Sequence, residues 1–407
     1  MVSRLSSSAQ VSSLLPLEEE QLSNYDPQKY YPAQIGESIG KYRILSKLGW
    51  GVSSTAWLAK DMSRWPWQKT RYVTLKITNC GPQEKRAAEE EVAISQHIAS
   101  SCFDHKGLRY IRLVQESFQV QGRFGQHICL VFEPLREPIW RLGRHLGGVG
   151  VPIDVLKPFL RILLQGLDFL HSECHIIHTD LKADNLLIGF EDPAVIRDYV
   201  RQQSLDPAPC IVRNGRPIWQ SRPDFGPLKR GTGLLKIADF SAAVFGNVPI
   251  MHNHDIHPQP FCAPEVLLNA GWTYSADIWN LGAMLWELLA GTYLFDGRCG
   301  AGAGAGAGAE YSRERHVAQM IGLLGRPPSE FLDRCKPSIW SSMFSLQGDF
   351  IPTYLIPPAD FNFQNLTPFV SDEEKNLFIA FALRMLRWDP ESRATARELL
   401  QDDWLQF

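Results

Sequence analysis

In a chain of 407 residues, the stretch His178-Thr179-Asp180-Leu181-Lys182-Ala183-Asp184-Asn185 carries the most chemical information. An Asp, a Lys two residues on and an Asn five residues on supply, from one loop, three groups that phosphoryl transfer needs. Asp180 would accept the proton of an attacking hydroxyl, Lys182 would neutralise the moving phosphoryl group, and Asn185 would hold a magnesium ion. Thr179 stands where such a loop usually has an Arg. The same short spacing also arises in ordinary surface loops, so the assignment depends on partners elsewhere in the chain.

Those partners can be found. Leu48-Gly49-Trp50-Gly51 places two glycines where a backbone could approach phosphates closely at a strand turn, although Ser54 replaces the third glycine of the usual pattern. Lys76 ends Val73-Thr74-Leu75-Lys76, the form of a strand whose Lys pairs with phosphates. That Lys needs a carboxylate from the next helix, and Glu89, Glu90 and Glu91 compete for the role. Helical phase selects Glu91, which shares a face with Ala87, Ile94 and Ile98. A second metal-binding Asp has two candidates. Asp224-Phe225-Gly226 matches a known motif literally but lies between two prolines, whereas Asp239-Phe240-Ser241 follows the strand-like Leu234 to Ala238. Asp239 is the assignment, and 224–226 is read as a decoy.

The elements that must position these groups follow from periodicity. Short β-like runs at 42–45, 54–59 and 72–77, a helix over 83–100, and further strands at 108–118 and 127–132 predict a small antiparallel-sheet lobe with one main helix. Beyond Pro134, helical patterns at 154–171, 275–290, 315–324 and 373–386 predict a larger, mainly helical lobe. The fold class is therefore α+β, with two lobes and a cleft between them. The expected organisation is a flexible leader over 1–35, a small lobe over 36–133 and a large lobe over 134–407. Two segments interrupt the large lobe: a Pro-rich insertion at 191–232, expected to fold against that lobe or stay mobile, and a Gly-Ala loop at 300–309.

Composition excludes several classes. A formal net charge of −3 gives no bulk attraction to nucleic acid or to an anionic membrane. The most apolar run, 281–295, is too short to span a bilayer and carries Glu287. Eight scattered cysteines without a C-x-x-C pair read as reduced thiols. His252, His254 and His257 lack a fourth ligand and are read as a solvated loop rather than a zinc site. Two further residues have structural roles. Glu265 of Ala263-Pro264-Glu265 needs a cation if buried, for which Arg393 is the candidate, and Asp277 is placed to hold the backbone of the catalytic loop from a buried helix. Glu133 and Leu135 follow a strand at the junction of the lobes, where their backbone groups could pair with an adenine edge, with Phe132 behind them.

With these residues in place the chain resembles the eukaryotic protein kinases over about residues 42–407, and within them the SR-protein kinases, especially the fungal members. The marks are Tyr30-Tyr31-Pro32, Lys47-Leu48-Gly49-Trp50-Gly51 with Ser54 and Thr55, His127 to Glu133, His178-Thr179-Asp180, and an insertion after Asn185. The resemblance implies a serine/threonine kinase dependent on ATP and Mg2+. Asp180 and Lys182 would be catalytic, Asn185 and Asp239 would hold metal, and Leu48, Gly49, Gly51, Ala56, Lys76, Glu91, Glu133 and Leu135 would surround ATP. It further implies protein substrates of the Arg-Ser-rich splicing class, a cytoplasmic and nuclear location, and a monomer that contacts neither nucleic acid nor membrane. Without an Arg at position 179 no phosphorylated activation loop need be bound, so constitutive activity is expected. The alternative is an ATP-binding pseudokinase or scaffold, motivated by Ser54, Ser241, Pro258 and Cys262. Arg313 and Arg315 occupy a stretch that is more acidic in the splicing kinases, which sets them against an Arg-rich substrate.

Overall fold

The structure, a computed structural model, describes residues 16–101, 104–229, 231–298 and 310–406. The Gly-Ala segment and residues 1–15 lie outside the described residues. β1 (Tyr42–Trp50), β2 (Ser54–Asp61), β3 (Tyr72–Thr78), β4 (Glu116–Gln121) and β5 (Gln126–Phe132) form an antiparallel sheet in the order β1-β2-β3-β5-β4, extended at the β1 edge by Ser38–Ile39. Alternation along each strand divides the sheet into two faces. Trp57, Ala59, Val73, Leu75, Ile77, Cys129 and Val131 pack outward. Ile128, Leu130 and Phe132 meet Ala88 of α1 (Pro82–Ser100) on the other face. The strand expected at 108–118 is instead a 3-10 turn at Lys106–Tyr110 followed, after an extended stretch, by β4.

Over the described residues 16–35 the expected flexible leader is instead packed on the outer face. Ala33 and Ile39 are buried against it, with Tyr31, Ile35 and Trp219 of the insertion packed alongside. Apolar side chains in a Pro- and Glu-rich stretch gave little periodic signal, yet they remove a hydrophobic sheet face from water. Glu19, upstream, is fully buried within a charged cluster.

In the large lobe α2 (Ile153–Asp168) carries an apolar stripe of Leu156, Leu160, Leu163, Leu164 and Leu167, and its Pro158 lies in the second turn. It packs near α4 (Ser275–Ala290), which is apolar almost all round and buried along nearly its whole length, as expected of a helix at the centre of a lobe. α4 ends at Gly291 with φ +67°, a left-handed cap that glycine adopts without strain. α5 (Arg313–Leu324) and α6 (Asp372–Leu383) complete the helical scaffold.

The described part of the insertion packs on both lobes: Leu228 meets the large-lobe core, as one of the two expectations had it, and the rest covers the small lobe. It comprises α3 (Pro193–Leu205) and a hairpin, Cys210–Arg213 with Arg216–Trp219. α3 lies against β1 in space, and its Tyr199 Oη shares a hydrogen bond of 2.8 Å with Ser46 Oγ of β1. Val195, Ile196 and Tyr199 bury Leu58 of β2, with Leu45, Leu48 and Tyr72 alongside.

Candidate active site

The cleft between the lobes contains a cavity of about 580 Å³, lined by both lobes. Its roof comes from the turn joining β1 to β2, because Leu48, Gly49, Gly51, Ser54 and Ala56 all face it. Cross-strand register sets Ala56 opposite Lys76. Lys76 Nζ donates to Glu91 Oε2 at 2.9 Å and to Asp239 Oδ1 at 2.8 Å, joining sheet, helix and large lobe at one cation. Glu91 is buried while Glu89 and Glu90 are exposed, as the helical phase predicted. Burial alone would raise the Asp239 carboxyl. Lys76 outweighs that, assisted by Ser241 Oγ at 2.8 Å, and holds it below the usual carboxylate range. The Ser that replaces a glycine after Asp239-Phe240 therefore supports the ionised carboxylate.

The catalytic loop is held between two short antiparallel pairs, Ile176–Ile177 with Val244–Phe245 and Leu186–Ile188 with Leu235–Ile237. Lys182 Nζ donates to Asp180 Oδ2 at 2.7 Å. Asn185 Nδ2 donates to the Asp180 carbonyl at 2.9 Å and to its Oδ2 at 3.0 Å. Beneath the loop Asp277 is fully buried. It accepts from the backbone N–H groups of His178 and Thr179, both at 2.8 Å, and from His171 Nε2 at 2.9 Å. Burial favours its neutral form, but these bonds hold its carboxyl below the ordinary range.

Thr179 has φ +67°, an unusual conformation for a β-branched residue, and such a state persists only where its surroundings fix it. Asp277 fixes its N–H. Its Oγ1 donates to the Ala242 carbonyl at 2.8 Å, tying the loop to the segment just after Asp239. At the end of that segment Glu265 meets Arg393 in a two-pronged pair, both contacts at 2.6 Å and both side chains fully buried.

The protein kinase domain profile matches residues 42–405. A serine/threonine protein kinase of Aspergillus fumigatus is 34% identical across 97% of this chain and 92% of its own length. The serine/threonine-protein kinase SRPK of Physarum polycephalum is 31% identical across 96% and 92%. The chain belongs to the SR-protein kinase branch of the protein kinases. The fission-yeast protein kinase dsk1, from Schizosaccharomyces pombe, is 27% identical across 95% of this chain and 85% of its own. A crystal structure of a kinase domain superposes with a TM-score of 0.67 at 22% identity, covering 94% of this chain and all of the other, and shows the shared fold. As an SR-protein kinase relative, this protein is a serine/threonine protein kinase that performs ATP-dependent phosphoryl transfer to protein substrates.

Two features of this kinase's cleft were not foreseen from its sequence. Glu133 does not line the cavity, and its carbonyl accepts from the Arg112 guanidinium at 2.9 Å and 3.2 Å while its carboxylate pairs with Lys236. Leu135 does line the cavity, next to Arg136. The segment 224–226, which is not the metal motif, has a different place. Phe225 and Pro223 form part of the cavity wall, and Phe225 packs on Phe190 and Tyr199. Arg136, buried beside Leu135, donates to the Gly226 carbonyl and to both oxygens of Glu191 at 2.7 Å and 2.9 Å. The only sequence signal was the turn chemistry of Pro-Asp-Phe-Gly-Pro, which identifies a turn and does not show what it packs against.

Among the described residues no cluster of three or more His, Cys, Asp or Glu could hold a metal unaided, the His252 to His257 stretch included. No helix among them is long and apolar enough to cross a membrane.

Proposed function

We propose that this kinase transfers the γ-phosphate of ATP to serines in Arg-Ser-rich splicing proteins, acting as a monomer in cytoplasm and nucleus without needing activation-segment phosphorylation. The donor set fits Mg2+. Asn185 Nδ2 is engaged with Asp180, which leaves its amide oxygen for a cation, and Asp239 keeps Oδ2 while Oδ1 serves Lys76 and Ser241. A hard cation that keeps waters and takes phosphate oxygens needs few protein ligands. When bound, Mg2+ would draw off charge developing on the phosphates. Asp180 then orients the serine hydroxyl and takes its proton, and Lys182 faces the transferring group. The joined Lys76, Glu91 and Asp239 and the bond from Thr179 to Ala242 support activity without a switch.

The observation that carries the substrate class is the acidic pair Asp184 and Glu287. Asp184 sits in the catalytic loop and accepts from Trp140 Nε1 at 2.9 Å. Glu287, on α4, has a buried Oε2 without a hydrogen-bond partner. Burial, reinforced by repulsion from Asp184, pushes its carboxyl up to about 7. A guanidinium placed between the two would satisfy both carboxylates with charge-assisted bonds. Arg313 and Arg315 at the start of α5 disfavour an extended basic docking segment, so recognition concentrates close to the transferred phosphate.

A peptide array should show preference for short Arg-Ser sequences, and preference for acidic or proline-directed peptides would overturn the reading. Glu287→Gln should raise KM for an Arg-Ser peptide by about ten-fold, the size of one charge-assisted hydrogen bond, and leave KM for the Arg-to-Ala peptide unmoved. The sign of the pH dependence follows from the raised pKa of the Glu287 carboxyl. Below pH 7 Glu287 keeps its proton and cannot pair with Arg, so KM for the Arg-Ser peptide should fall as pH rises from 6 to 8. That slope should flatten in Glu287→Gln.

A further inference from the structure

The turn over the cavity is gripped from outside by a residue that the transfer machinery does not include. Tyr30, buried upstream of the sheet, shares its single hydroxyl proton between the carbonyls of Gly51 at 3.2 Å and Val52 at 3.1 Å. Asn79 Nδ2 adds a second donor to the Val52 carbonyl at 3.0 Å. A planar trans peptide points its N–H opposite to its carbonyl. Holding the carbonyls of Gly51 and Val52 on the Tyr30 side therefore turns the N–H groups of Val52 and Ser53 away from Tyr30, in a turn whose flanking Gly51 and Ser54 line the cleft. Among the described residues neither N–H has a hydrogen-bond partner.

Tyr30 is itself fixed by charges drawn from three separated segments. The Arg216 guanidinium, from the insertion hairpin, lies over the Tyr30 ring at 5.0 Å and donates to Tyr25 Oη at 2.9 Å. Arg216 pairs with Glu19, which also pairs with Lys47 of β1, while Glu18 contacts Lys47 at 3.2 Å. Lys47, Glu18, Glu19 and Arg216 are all buried. Burial alone would raise the Glu19 carboxyl, and its two cations hold it below the usual range. Buried charges of this kind tolerate little movement, because separating them leaves one unpaired. Lys47 is two residues from Gly49, so the cluster grips the strand entering the turn while Tyr30 grips the turn itself.

We propose that Tyr30 is a positioning residue for phosphoryl transfer: its hydroxyl, steadied by the Glu19, Lys47 and Arg216 cluster, aims the Val52 and Ser53 N–H groups at the nucleotide phosphates. This rests on the reading that ATP occupies the cavity. The test uses the full chain and its Tyr30→Phe variant, which keeps the ring and removes only the hydroxyl. Kd for ATP with Mg2+ and Kd for adenosine, which has no phosphate, are measured by calorimetry. Tyr30→Phe should raise Kd and KM for ATP by about three- to ten-fold, the loss of one hydrogen bond, and leave the adenosine Kd and the melting temperature unchanged. Arg216→Lys, which keeps a charge for Glu19 but loses the flat contact with Tyr30, should show a smaller loss of the same ATP-selective kind. An unchanged ATP affinity in Tyr30→Phe, or equal losses for ATP and adenosine, would overturn the proposal. A wild-type protein that binds neither would instead remove the reading of the cavity, and this inference with it.

Discussion

Asp180→Asn should lower kcat for a serine peptide by about 10²- to 10⁴-fold, the range for loss of one general base. The substitution is nearly isosteric. Asn can still accept from Lys182 and from Asn185, so the loop should keep its shape, but it cannot take the hydroxyl proton. Asp180 does not line the cavity, whereas Lys182, Asn185 and Asp239 do, so ATP affinity should change by no more than about two-fold. Steady-state kinetics beside calorimetric ATP binding separates the two effects. Equal kcat in the two proteins would sink the role of Asp180, and a parallel loss of ATP binding would mean that the variant disturbs the cleft.

The second large effect is on stability. Arg393→Met leaves Glu265 charged in a site without water, and breaking such a pair costs about 3–5 kcal/mol. Both side chains are fully buried, and Arg393 also donates to the Ser275 carbonyl at 3.0 Å at the start of α4 and lies over Trp279 at 5.0 Å. The double replacement Glu265→Gln with Arg393→Met should lose less than Arg393→Met alone, because no unpaired charge remains. Urea unfolding midpoints would show the order. If the double variant is the less stable, an unpaired charge on Glu265 is not what Arg393→Met costs, and the loss lies in contacts that both variants have given up.

The sequence was most legible where chemistry and period coincide. Glu91 was chosen over its two neighbours by helical phase, and the helix indeed buries that face. α4 was placed over 275–290 by its helical period, and the helix spans those residues. Lys76 fell within a strand and Asp239 just after one, as the strand-like runs around them indicated. Legibility failed where contacts are long-range and polar. Glu18 and Glu19 sit in a run that usually marks a solvated face, and nothing near them in the chain reveals Arg216. Phe225 was set aside because its motif was in the wrong place for metal, although the residue belongs to the cleft for another reason. Arg112 reached the Glu133 carbonyl across a stretch expected to be regular strand, where alternation carries no information about a bridging guanidinium.

The buried cluster also bears on how the protein is made. Glu19 and its partner Arg216 are 197 residues apart in the chain. During synthesis the sheet and the catalytic Lys76 emerge first, but the charge on Lys47 has its full set of neighbours only after the insertion hairpin has left the ribosome. Domains ordinarily fold as units from the N-terminus onward. Here the first lobe stays unfinished until roughly a third of the second has been translated, so the phosphate-binding turn is completed at a point when the catalytic loop is already present.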